Sequence, residues 1–69
     1  MPHIAISMFP GRNKEAKQAL ADETQSFIAN ELGIESKFVS VSIEDVPPES
    51  WEKNMEQFPE ETLFVKPGI

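Results

Sequence analysis

Three residues of this chain have types that can do chemistry together: Pro2, Arg12 and Trp51. A proline at an amino terminus is a secondary amine with little freedom, so its lone pair can be aimed. In water an α-amine is mostly protonated at neutral pH, but an apolar pocket and a nearby cation disfavour the ammonium form and leave a proton acceptor. The condition is removal of Met1, since a following proline nitrogen is otherwise an amide. Met-Pro is also an ordinary way for a protein to begin. Arg12 is the only arginine; lysine fills every other basic position. Its planar guanidinium gives a two-point hold on a carboxylate that an ammonium does not reproduce. Its plain alternative is a surface residue near a helix start, where the helix dipole slightly disfavours a cation. Trp51 can wall a pocket and stack on a planar substrate, or simply anchor a small core.

Most other chemistry is closed to the sequence. His3 is the only histidine and there is no cysteine, which excludes a Cys/His zinc site, a disulfide and any Ser-His-Asp or Cys-His set. His3 is expected to face solvent or an interface. There is no Asp-x-Asp-x-Asp loop, phosphate-binding Gly-Lys loop or dinucleotide glycine fingerprint, so neither a metal nor a cofactor is expected. Glu49, Glu52, Glu56, Glu60 and Glu61 read as a solvated face rather than paired catalytic carboxylates. The net charge of -6 repels nucleic acid phosphates and anionic membranes. No apolar run approaches the ~20 residues of a membrane span, and the start lacks the features of a secretory signal. The expected location is the cytoplasm, with no nucleic acid or membrane partner.

The elements that must position these residues follow from hydrophobic period. Residues 3–9 alternate as a strand, with Ile4, Ile6 and Met8 on one face. Pro10-Gly11 ends it, Arg12 lies in the turn, and Asn13 is a helix cap with Glu15 in the first turn. From 14 to 32 an amphipathic helix carries Ala16, Ala19, Leu20, Phe27 and Ile28 on one arc, and Gly33 stops it. A second strand at 38–44 alternates Val39, Val41 and Ile43 against Phe38, Ser40 and Ser42. Pro47-Pro48 ends that pattern and a short helical turn carries Trp51. Residues 62–69 read as a short strand closed by a turn, suited to an edge or a subunit contact.

Strand, long crossover helix and strand make a single βαβ unit with parallel strands, an α/β (α+β) fold in one domain, 1–69. At 69 residues its core is thin. Without disulfides or a metal, the remaining supplement is association, and the unit leaves one sheet face bare and its edges open. A homo-oligomer built by sheet extension is expected.

Met-Pro, the first strand, Gly11-Arg12, the helix and the second strand together resemble the 4-oxalocrotonate tautomerase family, part of the tautomerase superfamily. The resemblance covers most of the chain. Pro48-Glu49-Ser50-Trp51 and Lys66-Pro67-Gly68 look closest to a bacterial branch of tautomerase-like proteins active on aryl pyruvates. It implies a cofactor-independent keto-enol tautomerase, a homodimer or hexamer acting on a small 2-oxo acid. By resemblance Pro2 is the general base, Arg12 holds the substrate carboxylate or polarises its carbonyl, and Trp51 stands where the family has an aromatic that keeps the pocket apolar. One departure is Ser40, which occupies the place of the family's second arginine. One cationic hold suits a monocarboxylate better than a dicarboxylate. The alternative reading is a non-catalytic assembly or interaction module that keeps the fold. The span of the first strand also separates Pro2 from Arg12, so either the turn folds Arg12 back or a neighbouring subunit supplies it.

Overall fold

The computed structural model describes all residues, Met1–Ile69. Alternating side chains make β1 (His3–Met8) and β2 (Ser40–Asp45), which turn Ile4, Ile6, Val41 and Ile43 to one face and His3, Ala5, Ser40, Ser42 and Glu44 to the other. The strands are parallel, with His3 opposite Ser40 and Met8 opposite Asp45. Their ladder opens where the Ser40 N–H donates to the Pro2 carbonyl (3.2 Å) and closes where the Val46 N–H donates to that of Met8 (2.8 Å). The second strand begins later than its alternation predicts, because Ser36–Phe38 is wound into a 3₁₀ turn.

The crossover is α1 (Lys14–Leu32). Asn13 caps it: its side-chain oxygen accepts the Ala16 N–H at 2.8 Å, satisfying one of the free donors of the first turn, a contact worth ~1 kcal/mol. Gly33 ends it in the left-handed region (φ 66°), and the Ile34 N–H turns back to the Ala29 carbonyl at 3.0 Å.

The apolar arc expected to face the sheet does not do so as a whole. Leu20 is exposed and Phe27 is 64% exposed, whereas Ala21, Gln25 and Ile28 are half-buried and Ala29 is buried. Two polar anchors set this rotation. The Gln25 amide donates to the Ser36 and Val39 carbonyls at 2.8 and 3.1 Å, and Lys17 Nζ meets Asp45 Oδ2 at 2.7 Å. The Val39 carbonyl is part-buried and costly to leave unpaired, so the face carrying Gln25 is the one that turns inward.

After β2, Val46 is buried and Pro48–Ser50 forms a 3₁₀ turn leading into α2 (Trp51–Met55). The expected C-terminal strand is absent. Glu60–Thr62 is a 3₁₀ turn, and past the Leu63 N–H, which donates to Glu60, no backbone group of the tail is hydrogen-bonded. A strand exists only against a neighbour, and none of this chain's own edges pairs with it. The buried core is Ala29, Val39 and Val46, as thin as the length implies. No helix is long and apolar enough to cross a membrane.

Candidate active site

Arg12 and Trp51 come together, and Pro2 stands apart from them. Gly11, at φ 132°, takes a backbone conformation that disfavours a side chain as the chain turns out of β1, and Arg12 after it lines a groove. Phe9 and Trp51 form one wall, meeting edge to face with centroids 5.1 Å apart at 81°. Met55, one helical turn beyond Trp51, and Pro67, Gly68 and Ile69 of the tail also line the groove. The groove encloses 530 Å³, within the range of small-molecule sites. Arg12 makes no ion pair; the three ion pairs of the chain use Lys17, Lys37 and Lys66. A single unoccupied guanidinium on apolar walls is suited to a carboxylate attached to a flat apolar group. A second, polar hollow of 310 Å³ holds Lys53 beside Glu44 and Asp45, whose charges oppose an anion.

Pro2 lies at the opposite end of β1, half-buried and fixed through its carbonyl by Ser40. It lines no hollow of the single chain. Met1, 95% exposed, covers almost nothing, so its loss removes little buried surface. Beside Pro2, His3 bridges two serines: Nδ1 is 2.7 Å from Ser40 Oγ and Nε2 is 3.0 Å from Ser42 Oγ. A neutral imidazole donates through one nitrogen and accepts through the other, and a hydroxyl serves either role, so the arrangement is satisfied in both tautomers. The place that resemblance gives to a second arginine is thus filled by a serine already engaged by His3.

Residues 2–52 match the family model described as Tautomerase enzyme. The chain belongs to the tautomerase family. Membership places it among enzymes of the isomerase class. The tautomerase PptA of Cronobacter sakazakii is 40% identical over 99% of this chain and 96% of its own length. A probable tautomerase of Xylella fastidiosa is 43% identical over 74% of this chain. The present chain spans 62% of that protein's length. The probable tautomerase RSp1151 of Ralstonia nicotianae is 35% identical over 74% of this chain and 78% of its own. The tautomerase match ends at residue 52, so it takes in Pro2, Arg12 and Trp51 and stops short of Met55 and the tail.

Phe9, Met55 and the tail residues are the parts of the groove that sequence reasoning missed. Phe9 was legible only as the last residue of a strand. Met55 carried a usable signal, since it stands four residues after Trp51 on an expected helical turn.

Proposed function

We propose that the chain is a cofactor-independent keto-enol tautomerase of 2-oxo acids such as aryl pyruvates, with the amine of Pro2, freed by removal of Met1, as general base. The observation that carries the reading is the groove of Arg12 and Trp51: one guanidinium without an ion-pair partner lining a largely apolar hollow. Arg12 takes the carboxylate of the acid by two parallel N–H bonds, and Trp51 and Phe9 flank the aromatic group and exclude water. The neutral amine accepts the enol O–H proton, leaving an enolate. The ammonium then returns a proton to the adjacent carbon, where a C–H bond forms as the carbonyl closes. No electron leaves the substrate and no cofactor is consumed. A placed base of this kind contributes roughly 10²–10⁴-fold to the rate.

The reading requires a second copy of the chain. Seven strand steps from Pro2 to Phe9 span roughly 23 Å, too far for one chain to join its own amine to its own groove. A homo-oligomer, dimer or hexamer, that brings one chain's Pro2 to another's Arg12 and Trp51 completes the site. The same separation, with Ser40 held by His3 instead of a second cation, supports the rival reading of a non-catalytic assembly module.

Adding one residue before Pro2 separates the two readings. Turnover of an aryl enolpyruvate should fall roughly 10²–10⁴-fold while the far-UV circular dichroism is unchanged. Equal rates with a blocked and a free proline nitrogen, the latter verified by intact mass, would remove Pro2 from the mechanism.

A further inference from the structure

Once Met1 is removed, no residue precedes Pro2 to hold it. Its ring nitrogen then joins the chain only through the Cα–C bond, so the amine moves by rotation about that axis, which half-burial restricts. The axis itself is set by the peptide plane whose carbonyl accepts the Ser40 N–H at 3.2 Å. That bond opens the ladder, where fraying starts, and it is longer than the 2.8 Å bond from Val46 to Met8 at the far end. His3 lies beside it on the exposed polar face of the sheet. Its ring spans the two strands, with Nδ1 2.7 Å from Ser40 Oγ and Nε2 3.0 Å from Ser42 Oγ. The register pairs His3 with Ser40 and Ala5 with Ser42, and the small Ala5 leaves the ring room to reach along the face. Ser40 is thus held to β1 twice, by its backbone N–H and by its hydroxyl.

We infer that His3 is a positioning residue for Pro2: by bridging Ser40 and Ser42 it keeps the first ladder bond closed and fixes the axis on which the amine sits. The inference deepens the proposed function and rests on its assignment of Pro2 as base. His3 touches no substrate in this account and acts through Ser40. Each bond is exposed and weak alone, but two of them fix the plane of one ring. An imidazolium donates from both nitrogens to the same hydroxyls, so protonation does not release the bridge. The loss expected on breaking it is kinetic, since misplacing a reacting group by ~1 Å can slow a reaction about 10²-fold. Substrate binding should be spared, because Arg12 and Trp51 belong to the groove beyond the other end of β1.

His3→Phe keeps an aromatic ring suited to a strand and removes both nitrogens. Amide hydrogen exchange, read without substrate, should be about tenfold or more faster at Ser40 and unchanged at Val46, the far end of the ladder. For an aryl enolpyruvate kcat should fall roughly 10–100-fold while KM stays within about twofold. Ser40→Ala/Ser42→Ala should reproduce both effects, and adding it to His3→Phe should cost less than about another twofold, because the two changes cut the same bridge. If His3→Phe loses its far-UV circular dichroism, the serine variant carries both readouts alone. Unchanged exchange at Ser40 overturns the inference, as do an unchanged kcat, a rise in KM at constant kcat, or fully additive losses. The exchange result separates this from the catalytic reading. Faster exchange in a protein whose parent turns over no enol removes the catalysis and leaves the clamp, whereas unchanged exchange in an active protein removes the clamp alone.

Discussion

The two ends of β1 differ in what holds them. At the Pro2 end, backbone hydrogen bonds to β2 begin at the Pro2 carbonyl, His3 locks two serines of the neighbouring strand, and Val39 lies buried beside them. At the other end Gly11 swings the chain outward, Arg12 has no ion-pair partner, and the wall of the groove is a tail without a backbone hydrogen bond. One chain is sufficient to place the proposed base and insufficient to complete the pocket that would use it. Ordered and open ends are therefore separated along a single strand, and the proposed function needs a second copy to rejoin them.

Removing the charge at the open end tests this division most strongly. Arg12→Ala should raise the KM for a 2-oxo acid about 10–100-fold, the size expected for a hydrogen-bonded charge pair of roughly 1.5–3 kcal/mol. The melting temperature should hardly move, because the guanidinium contacts no partner in the fold. Arg12→Lys should recover only part of the loss, since an ammonium cannot make both parallel bonds. Unchanged KM in both variants would place the substrate elsewhere and break the comparison.

A change in the ordered half should do the reverse. Val39 is among the few buried residues, in contact with the Gln25 anchor through its carbonyl. Val39→Ala removes buried methyl groups and should destabilise the chain by about 2 kcal/mol, by the transfer and cavity costs of a core truncation. Urea titration reads this as a lower midpoint at constant slope. A shift no larger than for a surface alanine would mean that the few buried residues are not where stability resides.

The same division explains how much could be read from the sequence. Asn13, Gly33 and the alternation of both strands act locally, through a cap, a left-handed residue and a period of two, so the βαβ unit was legible. The rotation of α1 was not, because Gln25 and Lys17 decide it by meeting Val39 and Asp45, partners distant in sequence. Leu20 and Phe27 count as core in a helical wheel and are exposed in the single chain. Arg12 and Trp51 were each legible from residue type but not as neighbours, and the tail's place in their groove depends on a turn at Glu60–Thr62 that no apolar pattern announces. Residues 62–66 have the composition of a strand and remain unpaired, since composition carries the propensity and a neighbouring edge must supply the bonds.

The smallest effect bears on the tail's tether. Lys66 and Glu60 are joined at 3.0 Å, but their side chains remain 63% and 80% exposed, and such pairs contribute at most about 0.5 kcal/mol once solvent screening and side-chain entropy are counted. Lys66→Ala should therefore leave the melting temperature of dilute, single-chain protein within ~4 °C of the parent. A larger fall under those conditions would show that the chain holds its own tail in place. That result would contradict the division between the two ends of β1, because the groove wall would then be as self-sufficient as the strand that carries Pro2.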